Sequence, residues 1–401
     1  MEEQTVQPME GQTVQRMERQ TVQRIEKRRW MPGWAKILIA VVLTLALSTA
    51  GWCLLLGQNG LALVEGWLLA RFAFVDTQAD LDGAVDQALS GLVSGLGDRW
   101  SYYLDEESYQ QTQERRANNY VGIGVTVNAV DREEGLLVLS VTDGGPAQAA
   151  GMVAGDVITE VDGTSIAGDA RQEGADRIAG EEGTQVTLTL LGEDGTIRDV
   201  TCTRTTLRNP SALGQMLEGD VGYIQLSNFY SGAADSFREE VDALVEQGAR
   251  GLIIDLRNNP GGYISELTAI LDYLLPEGPV FQQNPRWGTQ SVYQSDANCI
   301  DLPMVTLVNA DTYSAAELLA AELKEFQGYP VVGVRTSGKG YSQITFPLIN
   351  GGGLGLSTAT YCTGEGNSLI GVGIIPDVEL ELSGEEDNQL QAAMELLEEQ
   401  I

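Results

Sequence analysis

The chain has 401 residues, 43% of them apolar, enough for two or three domains with sizeable cores. Asp plus Glu outnumber Lys plus Arg by 57 to 24, a net charge of −33 that argues against nucleic acid as a partner. There is no histidine, which excludes Ser-His-Asp and Cys-His catalysis and imidazole-bound zinc, so a hydrolytic base would have to be Lys, Asp, Glu or water.

Residues 1–29 are polar, with Thr-Val-Gln recurring at Thr5, Thr13 and Thr21, and read as a low-complexity tail. From Ile37 to Gly57 the chain is apolar and uncharged, long enough as a helix to cross a bilayer core. Trp30, Trp34 and Trp52 stand near its ends as interfacial anchors would. The preceding flank carries Arg16, Arg19, Arg24, Lys27, Arg28, Arg29 and Lys36. By the positive-inside rule residues 30–57 are expected to be a signal anchor in the cell membrane, with the N-terminal tail cytoplasmic and the rest outside the cytoplasm. A cleaved signal peptide is the alternative, disfavoured by the long basic flank and the lack of a clear small-residue cleavage site.

Residues 58–117 read as helical, with Leu81, Ala84, Val85, Ala88 and Leu92 at helical spacing. Residues 118–206 are β-rich: Val121–Val127, Gly135–Val141, Val157–Val161 and Gln185–Leu191 are short runs between Gly and Asp turns, with one helix over Asp169–Ile178. From about Asn209 the pattern alternates. Strands are expected at Gly222–Leu226, Gly251–Asp255, Met304–Val308 and Val331–Val334, and helices at Ala233–Gln247, Ile264–Leu274 and Ser314–Phe326. That alternation implies α/β layering through residues 207–385. Residues 386–401 form an acidic helix with Leu390, Ala393, Leu396 and Leu397 on one face. Of the four cysteines, Cys53 lies in the apolar run; Cys202, Cys299 and Cys362 form no CxxC pair and leave room for one disulfide at most.

Three segments could carry chemistry. Ser314 follows the apolar strand Met304–Val308 and opens a helix, where free backbone N–H groups could hold an oxyanion; taken alone, the segment fits an N-cap serine better. Gly333 to Gln343 nearly matches a P-loop, but Gly340 stands where a Ser or Thr must ligate Mg²⁺, so the nucleotide reading fails. What remains is Lys339 between glycines after a buried strand, a useful base only if burial or nearby positive charge lowers its pKa. Lysine is scarce: the others are Lys27, Lys36 and Lys324, and Lys324 lies among Glu322 and Glu325 as a solvated ion pair would. In the third segment, Asp255 to Gly262, a strand runs into a Gly-rich turn whose N–H groups could approach a ligand, though an ordinary Pro-Gly turn would look the same.

Together these segments resemble the carboxy-terminal processing proteases, the tail-specific serine peptidases of family S41. The resemblance covers roughly residues 70–400 and includes Leu356–Tyr361 and Gly371–Val378. It implies an S41-type α/β peptidase core with Ser314 as nucleophile, Lys339 as base and Gln343, four residues on, helping to position the lysine. It also implies an oxyanion hole from the N–H of Ala315 with that of Gly261 or Gly262. The segment 118–206 looks like a PDZ domain inserted before the core, with Gly122, Ile123, Gly124 and Val125 on the family's carboxylate-binding loop and first strand. Such a groove takes an extended chain end by strand addition. The family often carries Ile-Arg-Gly at the end of the PDZ helix; here the run is Ile178-Ala179-Gly180, and Arg177 is the nearby arginine. Tyr341 replaces a small residue after the lysine motif and would narrow the site.

The expectation is therefore a membrane-anchored serine endopeptidase outside the cytoplasm, needing no metal or cofactor. Its partners are protein substrates with accessible C-termini and the membrane, through residues 37–57. The helices before the PDZ domain and at the C-terminus resemble elements that pair subunits in some relatives, so the resemblance allows a homodimer. The alternative is a silent PDZ adaptor. A Ser-x-x-Lys hydrolase is excluded because Glu317 stands three residues after Ser314. The acidic surface would favour basic substrates or simply keep the protein soluble.

Overall fold

The computed structural model describes residues 32–128, 134–142, 144–384 and 386–401, and the chain divides into two units, residues 1–85 and 86–401. The expected tail, residues 1–29, lies outside the described residues. In the first unit, helix α1 (Gly33–Ala73) buries none of its residues and is long and apolar enough to cross a membrane. Its stretch 37–57 is apolar all round, as membrane spans are. Gly57, where the expected span ends, leaves helical geometry at φ 60°, ψ −174° and breaks the helix in two.

Helix α2 (Leu81–Ser94) runs across the division between units. Its expected apolar stripe is largely exposed; Val93 is the side chain it buries. Strand β1 (Tyr102–Leu104) precedes helix α3 (Glu106–Ala117). The Asp105 side chain caps α3 by accepting the Ser108 N–H at 2.8 Å, and Asn118 closes it in the left-handed conformation. Acids occupy the first turn of α3, and Arg115 and Arg116 the last, the arrangement the helix dipole favours.

A two-stranded stalk, β2 (Asn119–Gly122) against β9 (Thr205–Arg208), leads into the β-rich domain. Its sheet runs β3 (Val125–Asn128), β4 (Leu136–Val141), β5 (Val157–Val161), β7 (Gln185–Leu191), β8 (Ile197–Thr203), with β6 (Thr164–Ser165) beside β5. Helices α4 (Pro146–Ala149) and α5 (Arg171–Ile178) complete it. Alternation decides which side chains fill the core: Val186, Leu188 and Leu190 are buried while the intervening threonines face outward.

The second sheet has the order β10 (Ala212–Leu217), β11 (Val221–Leu226), β12 (Gly251–Asp255), β15 (Met304–Val308), β16 (Val331–Gly333), β19 (Val378–Glu379), parallel except at β10. Every residue of β12 and β15 is buried, because helices cover both faces of the sheet. Ile254 and Leu252 face α6 (Ala233–Glu246), α7 (Ile264–Leu274) and α8 (Ala315–Gln327); Ile253, Val305 and Leu307 face α9 (Asn388–Glu398) through Ala393 and Leu397. A third, antiparallel sheet joins β13 (Gly278–Pro285), β14 (Ser291–Ser295), β17 (Tyr341–Pro347) and β18 (Gly353–Thr363) to β1. The pairing of β1 with β18 brings α3 to the α/β core across some 250 residues of sequence.

Candidate active site

The three chemical segments are the loops leaving the carboxyl ends of β12, β15 and β16, neighbours in the parallel sheet. That is the edge at which open α/β sheets place their ligands. Ser314 stands at the tight turn between β15 and α8 with φ 64° and ψ −124°. A simple N-cap residue takes extended dihedrals. Among the described residues, the other non-glycine positions with positive φ are all Asn or Asp, which tolerate it. For a serine the conformation costs on the order of 1–3 kcal/mol, a strain of the kind found at functional turns.

Glu317 holds that turn. Its fully buried carboxylate accepts the Ser314 N–H at 3.0 Å and, from the β16–β17 loop, the Thr336 hydroxyl at 2.5 Å, the Gly338 N–H at 2.7 Å and the Lys339 N–H at 2.9 Å. One side chain therefore ties the serine backbone to the lysine backbone. Sequence reading used Glu317 only to exclude another mechanism; an acid three residues after a helix-opening serine was its one local signal, as a capping box.

Lys339 is partly buried, with its ammonium 5.1 Å from the Trp100 ring centre and 5.6 Å from that of Tyr313. Burial lowers its pKa to about 8, helped by the Arg116 charge and opposed by Glu317 and Asp98. Its carbonyl accepts the Tyr361 hydroxyl. Gln343 lines the same cavity of about 690 Å³ as Ser314 and Lys339. Its amide nitrogen donates to the Tyr341 carbonyl at 3.0 Å and the Ser357 hydroxyl at 3.2 Å, across the bulge where β17 meets β18.

The Gly-rich turn reaches the serine because Gly261 has no side chain. At its φ of 78°, an added Cβ would lie 2.9 Å from the Ser314 Cβ and 2.8 Å from the Ala315 nitrogen. The Gly261 N–H is spent on the Asn259 side chain at 2.8 Å. Neither Gly262 nor Ala315 gives its N–H to a protein acceptor among the described residues.

In the β-rich domain, Gly122, Ile123, Gly124 and Val125 form the turn from the stalk into β3. The N–H groups of Ile123 and Gly124 have no protein acceptor among the described residues, and β3 is an edge strand, so both loop donors and a strand edge remain open. The Ile123 side chain is buried in the domain core. At the end of α5 the buried Arg204, just after β8, donates to the Ile178 carbonyl at 2.9 Å and the Arg177 carbonyl at 2.8 Å. All four cysteines are free thiols.

The chain matches the family model described as Peptidase family S41 over residues 220–380 and that of a PDZ domain over residues 121–201. It is 32% identical over 307 residues to the carboxy-terminal processing protease CtpA of Bacillus subtilis, spanning 76% of this chain and 66% of that one. It is 30% identical over 347 residues to the carboxyl-terminal-processing protease of a Synechocystis species, spanning 83% and 81%. A solved photosystem II D1 C-terminal processing protease is similar at 27% identity, with a TM-score of 0.46 over 85% of this chain and 97% of that one.

Proposed function

We propose, for a chain that belongs to the carboxy-terminal processing proteases of peptidase family S41, that Ser314 is the nucleophile and Lys339 the general base. The chain is a serine peptidase with a PDZ domain. The observation that carries the assignment is the strained turn at Ser314, held by Glu317 to the backbone of a lysine whose pKa is lowered to about 8.

In its neutral form Lys339 takes the proton of the Ser314 hydroxyl as Oγ attacks the scissile carbonyl carbon. The carbonyl electron pair moves to oxygen, and the N–H groups of Ala315 and Gly262 hold the oxyanion; Gly262 is preferred to Gly261 because the Gly261 N–H is already committed. The tetrahedral adduct collapses, and the leaving amine takes its proton from the Lys339 ammonium. A water, deprotonated by Lys339, then hydrolyses the acyl-enzyme. Gln343 is a positioning residue: it anchors the start of β17 and so the backbone that carries Lys339.

The PDZ loop Gly122–Val125 and the open edge of β3 would take the substrate's C-terminal segment, with the free N–H groups of Ile123 and Gly124 toward its carboxylate. Residues 30–57 would anchor the chain in the cell membrane, with the tail 1–29 cytoplasmic and the PDZ and peptidase domains outside. The charge of the flank and the all-round apolarity of residues 37–57 support this. A homodimer would draw on the exposed stripe of α2, since the apolar face of α9 is spent on its own sheet.

The test is cleavage of an unfolded reporter protein by the full chain and by Ser314→Ala and Lys339→Ala. Both variants should lose at least about a thousandfold in kcat/KM while their circular dichroism is unchanged. Full activity in folded Lys339→Ala would overturn the base assignment.

A further inference from the structure

The cavity that holds Ser314 breaks the charge rule of the rest of the molecule. Acids outnumber Lys plus Arg by 57 to 24 in the chain, yet this cavity is lined by Arg99, Arg115, Arg116 and Lys339 and by no aspartate or glutamate. Two other surface cavities follow the composition: one is lined by Asp272, Glu277 and Asp296, another by Glu322, Glu325 and Glu365.

The arginines are placed by the fold. Arg115 and Arg116 end α3, and Arg99 precedes β1, the strand that docks on β18. Among the described residues no carboxylate lies within ion-pair distance of any of the three. Arg116 donates to the Tyr102 hydroxyl at 3.2 Å and acts on Lys339. Arg99 rests on the Trp100 ring at 4.2 Å and donates to the Ser337 carbonyl at 3.0 Å, and Arg115 is exposed. A guanidinium offers a planar fork of donors that fits a carboxylate, and a cleft lined by one sign of charge concentrates ligands of the other.

We infer that the catalytic cleft selects polypeptides carrying a carboxylate close to the scissile bond, received by Arg99 and Arg115. This rests on the reading of Ser314 as the nucleophile and adds a substrate class to it. It also reverses, inside the cleft, the preference for basic substrates that the acidic exterior implies. The carboxylate could belong to an Asp or Glu side chain or to the substrate's own C-terminus.

The experiment uses the full chain and internally quenched peptides with an apolar cleavage site. In one series a single Glu, or Gln in its place, is moved through the four positions on each side of the site. In a second series the peptide ends in a free acid or an amide close to the site. The expected result is kcat/KM about tenfold higher for the acid member of at least one pair, falling toward parity as salt is raised. In Arg99→Gln/Arg115→Gln the same ratio should fall below about two. A Glu-over-Gln preference assigns the carboxylate to a side chain; an acid-over-amide preference assigns it to the terminus. Because the readout is a ratio, cleavage of the neutral peptide certifies a folded site; if the double variant cuts nothing, Arg115→Gln alone is read. Equal cleavage of both members of every pair, or a ratio that survives the substitutions, overturns the inference and leaves Ser314 as nucleophile. If the wild-type chain cuts the unfolded reporter but none of the peptides, this inference is overturned and Ser314 stands; if it cuts neither, the assignment of Ser314 fails and this inference falls with it.

Discussion

As the proposed general base, Lys339 would have to lose its proton to act, and its surroundings set when it does so. Burial is the main force lowering its pKa to about 8, and Arg116 adds to it. At pH 7 about one tenth of the lysine is then neutral, so kcat/KM should rise about tenfold from pH 6 to 7 and level off above about 8. Removing the Arg116 charge takes away a force favouring the neutral amine, so Arg116→Gln should move the rising limb to higher pH and lower activity at pH 7. Arg116→Lys, which keeps the charge, should leave the limb where it is. A profile of kcat/KM between pH 6 and 10 for the three proteins checks this; a limb that stays put in Arg116→Gln would remove Arg116 from the account of the base.

At the scale of elements, the site depends on what stands behind it. Arg257 follows β12 on the loop that carries Gly261 and Gly262. It pairs with Asp255 at 2.6 Å and with Asp387, the N-cap of α9, at 2.8 Å. This partly buried cluster joins the Gly261-Gly262 loop to the C-terminal helix, whose Leu397 is fully buried against the sheet. Leu397→Ala leaves a cavity beneath β12 and β15 and should destabilise the peptidase domain by about 2–5 kcal/mol, read as a lower urea midpoint. A midpoint unchanged from wild type would mean that α9 is not part of the cooperative core. In the PDZ domain Arg204, which follows β8, ties the end of α5 to the strand that runs into the stalk through its two hydrogen bonds.

For the molecule as a whole, the apolar helix α1 and the net charge of −33 are the dominant features. A helix with no buried residue and no polar face has no stable place in water. The full chain should therefore sediment with membranes, resist extraction by high salt and dissolve in detergent. Protease added to intact cells should remove the catalytic part and spare a tag at the N-terminus. Recovery of a soluble form whose N-terminus lies beyond residue 57 would instead identify a cleaved signal peptide. In a chain of net charge −33 a cationic cleft gives the field a direction, and under the proposed reading a carboxylate near the scissile bond would be drawn into the site.

The alternation of strand and helix after Asn209 was legible in the sequence because runs such as Leu252–Ile254 and Met304–Val308 are buried on both faces and so are continuously apolar. The apolar N-terminal helix and the PDZ strands were legible because each writes its environment into consecutive residues, the helix as an unbroken apolar run and the strands as alternation. The antiparallel sheet of β13, β14, β17 and β18 was not read as such, because its half-buried strands mix Gln, Ser and Pro with apolar residues. The segments of Ser314, Lys339, Gln343 and the Gly261-Gly262 turn were each ambiguous locally and became specific only together, as a resemblance. Tertiary structure alone decided three things. It made Glu317 the shared acceptor for two loops some 20 residues apart. It left the N–H of Gly262, not that of Gly261, without a protein acceptor among the described residues. It brought Arg99, Arg115 and Arg116 to the cleft through the pairing of β1 with β18. Local pattern records what a residue's neighbours along the chain require, whereas these contacts join groups distant in sequence, whose meeting depends on how the sheets assemble.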